Sequence, residues 1–256
     1  MHWSVNRTFE VFLEKYFPGN PKISILEVGS MNINGELRAL KTSNMEWLGL
    51  DLELGPGVDQ VIELGKRFPL DGRSFDLVVA SSVFEHDIQF WNTFLEIIRS
   101  VNNTGIILLI VPSQGAYHRH PLDAFRFYPD AGIALSKWAE FSGLPIKLIE
   151  SFTTKPENDM WADFVAIFTP NLNHSQSNYL GGSLNGENWI VENELISATF
   201  QEQPYELRRI KELEDRNIEL SRRLLESKRG LGQVLIATVR NVTRPLRRWL
   251  AKRPLK

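Results

Sequence analysis

The stretch ILEVGSMNING, residues 25–35, places an apolar run before a glycine and several small polar residues. The run is typical of a buried strand, and Gly29 allows the tight turn that ends it. Glu27 interrupts the run, although a hydrophobic core gives no reason for a carboxylate there. A glutamate in this place indicates a ligand beside the strand end, or alternatively a helix cap or an ion pair with a lysine.

Short apolar runs alternate with helical patterns around this stretch. We predict seven strands, at residues 22–28, 46–52, 58–64, 74–82, 104–112, 146–152 and 163–169. Helical patterns occur at the N-terminus and at residues 88–101 and 130–142. Buried strands separated by helices predict a doubly wound, mostly parallel α/β sheet covered on both faces. No helical pattern separates the last two strands, which predicts an antiparallel pair at one edge.

The chain divides by composition into four segments. Residues 1–170 hold the predicted sheet and the N-terminal helix. Residues 171–204 are rich in Asn, Ser and Gly, which is typical of a polar linker. A charged helical pattern at 205–229 and a basic amphipathic tail at 230–256 predict a C-terminal helical extension.

Composition and charge exclude several classes of function. The chain has no cysteine, which excludes disulfides, thiolate metal sites and a cysteine nucleophile. Residues 1–227 carry 20 basic and 31 acidic groups, whereas residues 228–256 carry nine basic groups and no acid. An acidic body disfavours nucleic acid as a partner. The sequence contains neither a long apolar span nor a signal-peptide pattern, so we expect a cytoplasmic protein.

Polar side chains at the predicted strand ends form a candidate ligand site. In doubly wound sheets, ligands bind beyond the carboxyl ends of the strands. Asp51 ends the second strand, where a carboxylate typically accepts hydrogen bonds from ribose hydroxyls. The chain lacks a GxGxxG loop for phosphates, so a nucleoside without phosphates fits better than a dinucleotide.

The segments ILEVGS, LGLD and FPLDGRSFDLVVASSVFEH, followed by a glycine-led apolar strand, resemble class I S-adenosylmethionine-dependent methyltransferases of the methyltransferase type 11-like kind. The resemblance covers roughly residues 20–170 and implies a Rossmann-like fold that binds S-adenosyl-L-methionine. It implies that the methionine part of the cofactor lies against Glu27, Gly29 and Ser30, with Ser81 close to the methionine end. It also implies that the nucleoside part contacts Asp51, Leu52, Glu63 and Leu64.

One position departs from the family pattern. The second glycine of the family's first loop is replaced here by Met31. We expect Gly35 to restore the turn further along the chain.

The segment PSQGAYHRHPLDAFRFYPDAG, residues 112–132, concentrates histidines, arginines and aromatic residues after the fifth predicted strand. It resembles the equivalent loop in a methyltransferase subgroup found among cell-surface polysaccharide biosynthesis proteins. A histidine of near-neutral pKa can take the proton of a hydroxyl that attacks a methyl group. The candidate catalytic residues are therefore His118 or His120 as base, His86 as a second candidate base, Asp123, and Arg126 as anchor of the acceptor.

The same loop has a simpler explanation, in which bonds from histidine and arginine to aspartate only hold its shape. The spacing of His118 and His120 gives no clear third ligand, so we predict no metal site. We expect methyl transfer to a polar acceptor, such as a sugar hydroxyl of a glycan or glycan precursor. The alternatives are a small-molecule O- or N-methyltransferase and a catalytically inactive interaction module of the same fold.

Two partner surfaces are predicted beyond the sheet. Residues 207–227 are expected to form a homodimeric coiled coil or to fold back on the body. The stripe that predicts the coiled coil consists of Ile210, Leu213, Asn217, Leu220 and Leu224. The basic tail, residues 230–256, is expected to contact an anionic membrane peripherally, at its cytoplasmic face, or to dock on the body.

Overall fold

The computed structural model describes residues 3–33, 35–156, 161–197, 210–224 and 226–227. Within these residues the chain forms one sheet in the order β3-β2-β1-β4-β5-β7-β6-β8-β9. Its strands are β1 Ile23–Val28, β2 Met45–Asp51, β3 Gln60–Val61, β4 Phe75–Ser81, β5 Val101–Gln114, β6 Lys147–Thr153, β7 Ala162–Thr169, β8 Glu187–Val191 and β9 Glu194–Ser197. The helices are α1 Trp3–Tyr16, α2 Phe90–Ser100, α3 Asp130–Phe141 and α4 Leu180–Ser183, and a 3-10 turn spans Leu37–Leu40.

The sheet is mixed. The pairings among β1 to β5 are parallel, whereas β7 runs antiparallel between β5 and β6. The pairings of β6 with β8 and of β8 with β9 are also antiparallel. All seven predicted strands are present, but among the described residues the sheet has nine strands and is not mostly parallel in its pairings.

The two additional strands lie in the stretch that was predicted to be a linker. β8 and β9 form a hairpin whose two loop residues, Glu192 and Asn193, both have positive φ, 48° and 71°. A two-residue loop of this kind matches the twist of the flanking strands and favours asparagine. The Asn-rich and Gly-rich composition of 171–204 therefore supplies turns within a folded segment.

Helices cover both faces of the sheet because successive strand residues point to opposite sides. Ile25 lies on the side of α1, in a buried cluster with Phe9 and Phe12. Leu26 lies on the opposite side, in a cluster with Phe94 of α2. β1 is therefore buried on both faces, which explains its continuous apolar run.

Glu150 of β6 joins the last elements of the sheet to the first helix. Its carboxylate is fully buried and accepts hydrogen bonds from the Tyr16 hydroxyl at 2.8 Å and from the backbone N–H of Leu180 at 2.6 Å. The N–H of Gly181 and the indole N–H of Trp189 donate at 2.9 and 3.0 Å. One buried carboxylate thus holds α1, α4 and β8 together.

The chain divides into two compact units, Met1–Thr199 and Phe200–Lys256. In the second unit, residues 210–224 and 226–227 are helical, and the apolar members of the predicted coiled-coil stripe are exposed. Self-association through this stripe stays a prediction. The basic tail lies outside the described residues, and so does its predicted membrane contact. Among the described helices, none has the length and apolar character needed to cross a bilayer.

Candidate active site

The predicted site residues gather where four strands end. β1, β4 and β5 are parallel neighbours, and β2 pairs with β1 on the other side. Their carboxyl ends, at Val28, Asp51, Ser81 and Gln114, therefore lie along one edge of the sheet. Of the residues predicted to bind the cofactor or to act in catalysis, Glu27 lies in β1, Asp51 and Ser81 end β2 and β4, and Glu63 and Leu64 follow β3. The others lie in the loops after β1, β2, β4 and β5.

Glu27 lies within the sheet and does not project from its edge. Its side chain is on the α1 face, only 2% exposed, and the indole N–H of Trp47 on β2 donates to its Oε2 at 2.8 Å. Burial raises the pKa of Glu27 to about 7, although the bond from Trp47 and the charge of Arg38 oppose the shift. The structure thus gives Glu27 a partner that joins β1 to β2 directly below the loop at the end of β1.

Replacing Glu27 with glutamine is expected to stabilise the protein relative to wild type as the pH rises. The folded-state pKa is raised, so the native protein binds the proton more tightly than the unfolded chain does. The associated stability is present below pH 4.5 and is lost as the pH rises through 7. At about 1.4 kcal/mol per pKa unit, the loss amounts to about 3 kcal/mol.

Urea unfolding of both proteins between pH 5 and pH 8 measures this difference. The free energy of unfolding of Glu27→Gln minus that of wild type is expected to grow from pH 5 to about pH 7 and to level off above that pH. Parallel curves for the two proteins would contradict the raised pKa of Glu27.

The turn after β1 is packed between two other loops. Gly29 has φ +78°, and the N–H groups of Gly29 and Ser30 donate to the Leu50 carbonyl at 2.8 and 3.0 Å. A Cβ at Gly29 would lie 2.1 Å from a methyl group of Val83, in the loop after β4. Glycine is therefore needed here both for its conformation and for the close contact with Val83.

Asp51 stands at the edge with its carboxylate directed at the loop after β1. Its Oδ2 accepts the backbone N–H of Met31 at 2.9 Å, and its Oδ1 accepts that of Leu52 at 2.7 Å. Met31 thus contributes a main-chain N–H that any residue except proline provides. A carboxylate has about four acceptor positions, so Asp51 keeps one on each oxygen for a ligand hydroxyl.

The loops after β1, β2 and β3 carry exposed apolar side chains. Leu52 is 50% exposed, Leu64 is 38% exposed and Ile33 is 52% exposed. Glu63 is also exposed. These side chains offer apolar surface on three loops at the edge of the sheet that carries Asp51.

The end of β4 contributes buried polar groups. Ser81 is 6% exposed, and its hydroxyl has no hydrogen-bond partner among the described residues. Ser30 is also buried, its hydroxyl lies against Gly49 of β2, and this hydroxyl likewise has no hydrogen-bond partner among the described residues. Both serines predicted to lie near the methionine end therefore carry a buried hydroxyl without a partner in this part of the chain.

Two histidines from different loops meet beside these strand ends. The rings of His86 and His118 lie perpendicular to each other with their centroids 5.0 Å apart. The Nδ1 of His86 is bonded to the Leu122 carbonyl, and that of His118 lies 3.1 Å from the Ala116 carbonyl. Burial lowers the pKa of His86, which favours the neutral imidazole.

Glu85 completes this group. Its side chain is 1% exposed, and its Oε1 lies 3.6 Å from Nε2 of His86. Burial raises the pKa of Glu85 to about 8, against the opposing charge of Arg126. Its backbone carbonyl accepts the N–H of Ala124, which ties the loop after β4 to the loop after β5.

Asp123 and Arg126 hold the loop after β5 in shape. Arg126 donates from Nη1 and Nη2 to the two oxygens of Asp123, at 2.5 and 2.8 Å. The same two nitrogens also donate to the carbonyls of Phe125 and Ala116. Asp123 further accepts the N–H of His118 at 2.8 Å, and its pKa is held below its usual range by Arg126. The guanidinium predicted to anchor the acceptor is thus engaged within its own loop.

The third histidine predicted to act in catalysis, His120, is not part of the cluster formed by Glu85, His86 and His118. His120 is exposed and precedes a cis peptide bond to Pro121. Trp161, which sequence analysis missed, places its ring 5.1 Å from that of His118 and covers Gly115. No pattern marks Trp161 in the sequence, because it precedes β7 and reaches the loop only through the fold.

No protein-family model and no curated protein sequence matches the chain. Among solved structures, a Burkholderia thailandensis 1,6-didemethyltoxoflavin-N1-methyltransferase, with 1,6-didemethyltoxoflavin and S-adenosylhomocysteine bound, is 12% identical. That match covers 66% of this chain and 79% of the other, with a TM-score of 0.47. A TehB-like SAM-dependent methyltransferase from Corynebacterium glutamicum is 17% identical over 64% of this chain and 85% of the other, with a TM-score of 0.41.

A protein from Pyrococcus horikoshii is 12% identical over 66% of this chain and 90% of its own, with a TM-score of 0.46. Because the identities are low and the TM-scores are below 0.5, these similarities do not bear on the activity of this chain. The function must follow from its own strand order and side chains.

Proposed function

We propose that residues 1–199 form an S-adenosylmethionine-dependent methyltransferase that acts on a polar acceptor, a sugar hydroxyl of a glycan or glycan precursor. The observation that carries the proposal is the strand order β3-β2-β1-β4-β5-β7-β6 with β7 reversed between its neighbours. A reversed strand between β5 and β6 distinguishes this sheet from the fully parallel sheet of dinucleotide-binding domains. Asp51 lies at the end of β2 in this sheet, which is where the family binds ribose.

The residues at the edge fit the nucleoside half of the cofactor. Asp51 keeps free acceptor positions for two ribose hydroxyls, and Leu52 and Leu64 offer an exposed apolar surface for adenine. Glu27 accepts a hydrogen bond from Trp47 and so joins β1 to β2 next to the turn at Gly29. Ser81 supplies a hydroxyl for the methionine end of the cofactor. S-adenosylmethionine, when bound, supplies a methyl group on a sulfonium sulfur.

The loop after β5 provides the chemistry for the acceptor. His86 and His118 lie where they can take the proton of a hydroxyl, and both are oriented by backbone carbonyls. Tyr117 and Tyr128 are 73% and 68% exposed on the same loop, and their rings can stack on a sugar face. Phe127 on the same loop is buried in the core and is not available for stacking.

Asp51→Ala is expected to weaken binding of S-adenosylmethionine and of S-adenosylhomocysteine at least about tenfold. A hydrogen bond to a charged group contributes about 1.5–3 kcal/mol, and tenfold corresponds to about 1.4 kcal/mol. Calorimetry with both compounds measures the effect. Glu53→Ala is the matched control, because Glu53 is an exposed acid two residues further along the same loop.

Absence of binding of both compounds to the wild-type protein at millimolar concentration would contradict the proposed function. The acceptor is then sought with labelled cofactor against nucleotide sugars, lipid-linked glycans and small phenols. A methylated sugar supports the acceptor proposed here, and a methylated phenol supports a small-molecule methyltransferase. Cofactor binding with no methylated product in any of these classes favours the inactive interaction module.

A further inference from the structure

Three side chains with metal-binding atoms meet between the loops after β4 and β5. Glu85, His86 and His118 each offer one ligand atom, and these atoms all lie within 4.8 Å of one another. A tetrahedral site with bonds of about 2.1 Å places its ligands roughly 3.4 Å apart. Shifts of about 1 Å in each side chain therefore bring all three atoms to bonding distance of a single ion.

The two imidazoles are already oriented as metal ligands are. The Nδ1 of His86 faces the Leu122 carbonyl, which holds the ring proton on that nitrogen. The Nδ1 of His118 lies 3.1 Å from the Ala116 carbonyl and 3.4 Å from Oδ2 of Asp123. In both rings Nε2 is left with its lone pair, and such second contacts typically fix the tautomer of a metal-bound histidine.

Glu85 provides an independent indication of a cation. Its side chain is 1% exposed, and its Oε2 has no hydrogen-bond partner among the described residues. A buried carboxylate oxygen without a partner is unfavourable unless a donor or a cation meets it. His86 is close but offers Glu85 no hydrogen bond, because the nitrogen that faces it, Nε2, lies 3.6 Å from Oε1 and carries the lone pair.

We propose that Glu85, His86 and His118 bind one divalent first-row transition-metal ion, whose open position takes the acceptor hydroxyl. Two imidazoles and a carboxylate suit Zn²⁺, Fe²⁺ or Mn²⁺. Three protein ligands leave at least one coordination position for an oxygen from outside the protein. The role of the ion rests on the proposed methyl transfer, whereas its binding depends only on the three side chains.

The ion would activate the acceptor in place of a histidine base. A hydroxyl bound to the ion has a lowered pKa and loses its proton to solvent. Its oxygen then forms a bond to the methyl carbon while the bond between that carbon and the sulfonium sulfur breaks, and the sulfur keeps the electron pair. His86 and His118 act here as ligands, which explains why both rings converge on the buried carboxylate of Glu85.

Titration of the full chain with metal, after removal of bound ions by a chelator, tests the site. We expect calorimetry to give one equivalent of Zn²⁺, and Co²⁺ to give visible absorption bands of a low-coordinate nitrogen and oxygen site. Glu85→Gln and His118→Ala are each expected to weaken Zn²⁺ binding at least about a hundredfold. His118 is 38% exposed on a loop, so its replacement tests the site even if Glu85→Gln disturbs folding.

His174→Ala is the matched control. His174 is a partly buried histidine on the segment after β7. Lys147 donates to its backbone carbonyl, a bond that does not depend on the imidazole. This variant is expected to bind Zn²⁺ like wild type. Wild-type protein without Zn²⁺ binding at about 1 mM, or unchanged binding in both Glu85→Gln and His118→Ala, would overturn the site.

Binding of S-adenosylhomocysteine, measured in the same samples, separates this inference from the proposed function. Cofactor binding without Zn²⁺ binding overturns the metal site and leaves the methyltransferase. Zn²⁺ binding that depends on the three side chains supports the site, even if the cofactor does not bind and the methyltransferase is thereby overturned.

Discussion

Replacing Glu150 with alanine is expected to lower the free energy of unfolding by about 3–5 kcal/mol. The carboxylate is fully buried and accepts four hydrogen bonds, so alanine leaves two buried and two partly buried donors without an acceptor and opens a cavity. The loss affects α1, α4 and β8 together because their donors converge on this group. Urea unfolding followed by tryptophan fluorescence measures the change.

Glu46→Ala is the matched control for this prediction. Glu46 pairs with Lys22 at 2.8 Å, but its side chain is 69% exposed and that of Lys22 is 77% exposed. Solvent screens exposed ion pairs and leaves them little effect on stability, so this variant is expected to unfold nearly like wild type. Equal losses of unfolding free energy in the two variants would show that the bonds to Glu150 do not stabilise the packing of α1, α4 and β8 on the sheet.

His118→Ala is expected to lower the rate of methyl transfer at least about a hundredfold. A positioned general base contributes this much, and loss of a metal ligand would have an effect at least as large. The measurement is kcat with the acceptor that the labelled screen identifies. The affinity for S-adenosylhomocysteine, measured by calorimetry, is expected to stay unchanged because the proposed nucleoside contacts are Asp51 and the exposed leucines.

His120→Ala separates the two histidines that the sequence could not rank. His120 is exposed and lies outside the group formed by Glu85, His86 and His118, so its replacement is expected to lower kcat less than about tenfold. A large effect of His120→Ala with near-normal turnover of His118→Ala would reverse the assignment. Normal turnover in both variants would show that neither His118 nor His120 acts in catalysis.

Features that depend on neighbouring residues could be predicted from the sequence. The run before Gly29 is apolar because β1 is buried on both faces. Runs of this kind placed β1, β2, β4, β6 and β7 within one residue of their observed bounds, whereas β3 is shorter and β5 longer than predicted. Asp51 could be assigned to the edge because the carboxyl ends of parallel strands meet there. The ion pair between Asp123 and Arg126 was among the alternatives, since residues three apart in a loop readily contact each other.

Features that depend on contacts between distant segments could not be predicted. The partner of Glu27 is an indole from the neighbouring strand, and local sequence does not reveal that Trp47 points towards it. Glu85 and His118 are 33 residues apart and meet only because β4 and β5 are parallel neighbours. The hairpin of β8 and β9 was missed because its short strands are interrupted by turn residues that are also typical of linkers.

That hairpin also determines how the sheet ends. A long unpaired strand presents a row of free N–H and C=O groups, on which another chain can add a strand and begin aggregation. Within the described residues the sheet ends at β3, which has two residues, and at β9, which has four. The long apolar strands are all interior. The segment 171–204, which resembles a linker in the sequence, thus places a short strand at the edge of the sheet. A short edge strand disfavours edge-to-edge association with another chain, as terminal capping repeats do in repeat proteins.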